Sequence, residues 1–300
     1  MNPKKPALPA VIHRTLTVER TYAASPTRVF AAWVDPEVKA RWFIGPPDQW
    51  KVLRRELDLR VGGQELLVGQ LTGSASETRY EARFHVIEPD RRLIYVYDMQ
   101  HGGGHLSTSL ATVDFERTAA GGTRMVLTEQ AAFLDGEDGA ASRQQGIAYH
   151  FANLAPLVED PTEIVSSRVF AAPRSRVFAA LADPLQLARW WGPKGFRNTF
   201  HAFDLRPGGV WRFTMHGPDG TDHENTKEIL EVVPGERVVS THGSEAHRFR
   251  MSMCYVDLGA ETLLTWRMSF ASAEHVAQIR PRVEEANEEN FDRLAALLAA

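Results

Sequence analysis

Apolar and polar residues alternate with period two from Ile12 to Tyr22, with Leu16, Val18 and Tyr22 on one side, so a strand opens the chain. The spacing then changes. Val29, Phe30, Trp33 and Val34 recur at helical intervals, Ser25 is placed to cap that helix, and Pro26 in its first turn forfeits no hydrogen bond. Asp35-Pro36 starts a second short helix that ends in Trp42-Phe43. Alternation returns in six runs: Trp50 to Leu59, Gln64 to Leu71, Thr78 to Ile87, Leu93 to Asp98, Ser107 to Phe115 and Arg124 to Ala131. Turn signals such as Val61-Gly62-Gly63 and Glu88-Pro89-Asp90 separate them. From Ser142 the period lengthens again, and Ile147, Phe151, Leu154 and Val158 form one helical stripe that stops before Pro161.

The same programme then restarts. Arg28 to Phe43 and Arg176 to Trp191 match at ten of sixteen positions, in constant register from Val29 and Val177 to Arg41 and Arg189. Ala172-Pro173 and Asp183-Pro184 take the helix-starting places, and Trp190-Trp191 is the second aromatic pair. Asp58 to Gly63 reappears as Asp204 to Gly209, and Ile87-Glu88-Pro89 as Val232-Val233-Pro234. A last helix runs from Ala273 to Leu298, its stripe passing through Val276, Ile279, Val283, Asn287, Phe291 and Leu294. A repeat this long is a duplicated domain and not a solenoid unit. The expected organisation is a flexible tail over residues 1–11, one domain over 12–160 and a second over 161–300.

Seven strands joined by tight turns pair antiparallel, and a sheet that wide curls. The closing helix has one apolar stripe to bury, and the concave face of its own sheet is the place for it. The fold class is therefore α+β: two tandem domains, each a curved seven-stranded antiparallel sheet around a long C-terminal helix, with two short helices after the first strand. A curved sheet gripping a helix does not close along its whole length, and an internal cavity is expected.

The order helix, Asp-Pro, helix, Arg-Trp-(Trp/Phe), Asp-Leu-Arg-x-Gly-Gly, Val-x-Pro turn and terminal Asn-Phe-Asp-Arg-Leu helix resembles the activator-of-Hsp90-ATPase homologues of bacteria. These are START-like, or SRPBCC, proteins with the helix-grip fold of the birch pollen allergen. The resemblance covers almost the whole chain, once per half. It implies cavities that take lipids, hormones, polyketides or other apolar molecules, and in some members cyclase, dehydratase or hydroxylase-subunit roles. The activator name comes from proteins with an additional chaperone-contacting domain. Here Met1 to Pro9 precede the first strand, so chaperone stimulation is the lesser expectation, and fold alone does not decide function.

Composition narrows the field. The 300 residues carry a formal charge of -4 with both signs interspersed, which is no nucleic-acid footprint. No run approaches the length of a membrane span, and a cytoplasmic location is the default. The single cysteine, Cys254, lies in an apolar strand pattern and reads as a core thiol. His101-Gly-Gly-Gly-His105 and His223-Glu224 lack both a rigid scaffold and a third ligand, so no metal and no cofactor are implied. Gly102 to Gly104 precede no helix and make a poor phosphate cradle.

Candidate site residues in the first half are the wedge tryptophans Trp33 and Trp42, then His85, Tyr95, Tyr97, Glu129, Tyr149 and His150. Glu129 is in phase with Met125 and Leu127. Turned inward, it becomes a carboxylate whose pKa desolvation raises and a candidate general base, with His150 the second catalytic candidate. In the second half Trp190, Trp191, Trp211, Phe213, Met251, Met253, Trp266 and Phe270 face inward, either as packed core or as a ligand-contacting wall. No nucleophile with its base can be assembled. The leading expectation is binding of a small apolar or amphipathic molecule in one or both cavities. The alternatives are a cofactor-independent cyclase, dehydratase or hydrolase, and a chaperone-partner module. The duplication also suggests an intramolecular pseudo-dimer of the two halves.

Overall fold

The structure is a computed structural model and describes residues 9–243 and 248–300. The tail expected over 1–11 lies, as far as residue 8, outside the described residues. The chain divides into two compact units, residues 1–159 and 160–300.

In the first unit β1 (Ile12–Tyr22) leads into α1 (Pro26–Val34) and α2 (Pro36–Trp42). Six strands follow: β2 (Trp50–Leu57), β3 (Gln64–Leu71), β4 (Glu77–Glu88), β5 (Arg92–His101), β6 (Gly104–Arg117) and β7 (Thr123–Phe133). α3 (Ala140–Val158) closes it. The second unit repeats this as β8 (Glu163–Phe170), α4 (Arg174–Ala182), α5 (Pro184–Trp190), β9 (Arg197–Ala202), β10 (Val210–His216) and β11 (Asp222–Val233). Then come β12 (Arg237–His242), β13 (Phe249–Asp257), β14 (Thr262–Phe270) and α6 (Ala273–Ala299).

Each unit holds one antiparallel seven-stranded sheet, in the orders β1-β7-β6-β5-β4-β3-β2 and β8-β14-β13-β12-β11-β10-β9. The opening strand pairs with the last and not with the next, so the two short helices carry the chain from one sheet edge to the other. Both units are tandem helix-grip domains, with two short helices and a long one against each sheet.

Local chemistry explains the repeated motif. Ser25 caps α1, its hydroxyl accepting from the Arg28 amide, and Asp35 caps α2 by accepting from the amides of Glu37 and Val38 at 3.0 and 3.3 Å. Asp183 caps α5 in the same manner. At the head of α4, however, Pro173 itself occupies the cap position and offers no side-chain acceptor. The indole of Trp42 donates to the Ala32 carbonyl at 2.9 Å, and that of Trp190 to Ala180 at 2.8 Å. One buried tryptophan in each domain thus staples its two short helices together. The closing helix is tied to the first strand by Tyr22, whose hydroxyl donates to the Phe151 carbonyl at 3.0 Å.

Candidate functional site

The inward phases of β3, β4, β5 and β7 meet the inner face of α3 around a cavity of about 660 Å³ in the first domain. Ten aromatic rings contribute to its wall. Trp33 and Trp42 come from the short helices, Phe43 from the position just after them, Trp50 from the start of β2, Tyr80, Tyr95 and Tyr97 from β4 and β5, and Tyr149, His150 and Phe151 from α3. Trp50 is placed by two glycines. A Cβ on Gly69 would lie 2.2 Å from its ring and one on Gly45 2.8 Å from it, so only residues without side chains leave it room. Gly146 of α3 also lines the cavity, and a Cβ there would meet nothing within 4 Å.

Polar groups are gathered at one point of this wall. Arg143 of α3 sends Nη1 to Glu129 Oε1 at 2.6 Å and also bonds Tyr97 and Ser109, while Nη2 donates to Ser107 at 2.8 Å. Glu129 is fully buried and accepts a second bond from the Ser109 hydroxyl at 2.7 Å. It does share the inward phase of Met125 and Leu127, and it lies behind the wall as half of an ion pair. A second buried pair, Lys39 with Glu65 at 2.7 Å, links α2 to β3. Burial lowers the Lys39 pKa, and the Glu65 carboxylate opposes that shift.

Burial pushes the Tyr80 and Tyr95 hydroxyls well above the ordinary tyrosine range, and neighbouring acidic groups add to it. These side chains are neutral hydrogen-bonding groups at any physiological pH. His150 is lowered to about 4 by burial, with the cationic Arg55 pressing in the same direction and its bond to the Trp42 carbonyl opposing.

Trp33, Trp42, Tyr95, Tyr97, Tyr149 and His150 are thus brought together around one cavity. His85 is not. A register shift between Phe84 and Val86 sets it off the ladder, Phe84 takes the inward position, and His85 is exposed. Arg143, Tyr80 and Trp50 were missed. Arg143 continues the α3 stripe one turn before Ile147, and Tyr80 shares the phase of Ala82 and Phe84, so periodicity carried the signal for both.

The second domain has a different interior. Register places Trp211, opposite Lys227, where the first domain has Glu65 opposite Ala82, and Phe200 where it has Arg55. Met268 stands for Glu129, opposite the first strand of its sheet, and Leu187 for Lys39 at the fourth position of the second short helix. Charged positions of the first domain are apolar here, and the side chains close on one another. Trp191 and Trp266 are 5.3 Å apart, Trp266 and Phe291 4.6 Å, and Phe200 and Phe213 5.0 Å. Trp190, Met251 and Met253 complete this core, with Phe270 half-buried at its edge against Phe249. Seven of the eight residues expected to face inward lie in one buried apolar cluster, and Phe270 packs against it. Lys227, absent from the sequence candidates, is buried within it.

Among curated proteins no sequence matches. Solved structures similar to one domain-length segment include an uncharacterized protein from Rhizobium leguminosarum, 39% identical, covering 50% of this chain and 97% of that one, with a TM-score of 0.47. A Rhizobium loti protein is 38% identical over 49% of this chain and 99% of its own, with a TM-score of 0.46. A Mycobacterium smegmatis protein is 29% identical over 47% and 92%, with a TM-score of 0.43. The family model for the activator of Hsp90 ATPase homolog 1-like protein matches residues 23–159 and again residues 171–299. The chain therefore belongs to the activator of Hsp90 ATPase homolog 1-like family, and carries its domain twice.

Proposed function

We propose that the first domain binds a small amphipathic molecule inside its cavity, and that the second domain is its packed, ligand-free counterpart. The observation that carries this reading is the aromatic-walled space of about 660 Å³, within the range of small-molecule sites. Affinity comes from apolar area removed from water, at roughly 25 cal/mol per Å² before entropic costs, while a few polar groups fix orientation. The reading asks of Glu129 only that it hold Arg143. The duplicated but filled second interior supports a division of labour, because the same backbone plan there carries tryptophan and methionine where the first domain carries charge.

Native mass spectrometry of the full chain, purified and incubated with a bacterial metabolite extract, tests the proposal. A bound species of a few hundred daltons is expected on the natural chain and depleted in Gly146→Trp, which adds an indole at a position lining the cavity. A natural chain that stays ligand-free in the extract, or equal retention by the folded variant, overturns the reading.

A further inference from the structure

The hydrogen bond made by His150 decides what the cavity offers a ligand. Its Nδ1 lies 3.2 Å from the Trp42 carbonyl oxygen, and a carbonyl oxygen only accepts, so Nδ1 carries the hydrogen. The neutral ring then keeps a lone pair on Nε2. That atom bonds no described residue, and the ring lines the cavity between Phe43, at 4.9 Å, and Tyr149, at 5.8 Å. Burial and the nearby Arg55 cation hold the ring neutral, against the pull of the Trp42 carbonyl. His150 is a fixed acceptor.

The cation in the wall is already engaged. Arg143 already pairs its charge with the buried Glu129 carboxylate and sends Nη1 and Nη2 to Tyr97, Ser109 and Ser107, so a ligand carboxylate would have to compete with Glu129 for it. Resting on the cavity reading above, we propose that the ligand of the first domain is an uncharged ring compound whose hydroxyl donates to His150 Nε2. His150 is then a specificity-determining residue, and the aromatic wall supplies stacking for the ring.

Three probes of one shape separate the possibilities: 2-naphthol, which donates; 2-methoxynaphthalene, which does not; and 2-naphthoate, which is charged. Titration calorimetry on the full chain is expected to show 2-naphthol binding about tenfold tighter than the methyl ether, the worth of one well-made hydrogen bond. The naphthoate is expected to bind weakest. In His150→Leu the ratio of naphthol to ether falls to about one, and His150→Gln, which keeps an acceptor, restores part of it. Equal affinities of naphthol and ether on the natural chain, or discrimination that survives in His150→Leu, overturn the assignment while leaving the cavity reading intact. If no probe binds and Gly146→Trp behaves as the natural chain does, the cavity reading falls as well.

Discussion

The Lys227 ammonium nitrogen sits 4.1 Å from the centroid of the Trp191 ring, and no carboxylate among the described residues pairs with it. Among the described residues its one hydrogen bond runs to the Met251 sulfur at 3.5 Å. Contact with the Trp191 and Trp211 faces offsets only part of the cost of burial, which lowers its pKa to about 7. Ala82 holds the corresponding place in the first domain.

That shift has a sign in stability. Between about pH 7 and 10.5 the unfolded chain binds a proton that the folded chain does not, so stability rises with pH across this window and the penalty is complete below it. Lys227→Met keeps the volume and removes the charge. We expect it to stabilise the second domain by roughly 2–4 kcal/mol at pH 6, the gain shrinking toward zero near pH 10.5. Urea titrations at both pH values read this directly, and a variant less stable at pH 6 refutes it.

Arg143 and Glu129 form a buried pair whose value differs from the cost of breaking it. Arg143→Ala leaves the Glu129 carboxylate enclosed without its cation and is expected to cost about 3–5 kcal/mol. The double variant Glu129→Met, which copies Met268 of the second domain, with Arg143→Val is expected to recover most of that loss. Equal losses in the single and double variants would mean that packing, and not charge, sets the cost.

Much of this architecture was legible because strands and helices announce themselves by period. The alternation through Met125, Leu127 and Glu129 placed a carboxylate on the inner face, where it lies. Whether an interior is hollow or filled depends on summed volumes across strands far apart in sequence, and a change such as Glu65 to Trp211 alters that volume without altering any period. Lys39 was illegible for a similar reason. It reads as the wet side of a short helix until its partner, Glu65 on β3, is known. His85 failed because a bulge, invisible to strict alternation, precedes Val86.

His150 gives the first domain an acid-sensitive element. Its pKa of about 4 in the fold lies below the ordinary 6.5, so its contribution is full above pH 6.5 and is lost as pH falls toward 4. The groups bearing on it are Arg55, which disfavours protonation, the Trp42 carbonyl, which favours it, and the neighbouring Tyr149 ring. The loss amounts to roughly 3 kcal/mol by pH 4. His150→Asn removes the titrating group and should flatten the stability profile between pH 6.5 and 4 relative to the natural chain, measured by chemical denaturation across that range.

One substitution at two glycines should act in opposite directions. Gly146 lies within α3 with open space beyond its Cα, so Gly146→Ala lowers the entropy of the unfolded chain at no steric cost and should stabilise the domain by about 0.5–1 kcal/mol. Gly69 lies under the Trp50 indole, where a new Cβ would fall 2.2 Å from the ring. Gly69→Ala must displace that ring, and should destabilise by about 1–3 kcal/mol, as overpacking does. Because Trp50 lines the cavity, the same change should weaken 2-naphthol binding, whereas Gly146→Ala, one methyl at an open face, should leave it within about twofold. Thermal denaturation and calorimetry on the two variants decide the matter, and a stabilising Gly69→Ala would show that the tryptophan is not held where the cavity needs it.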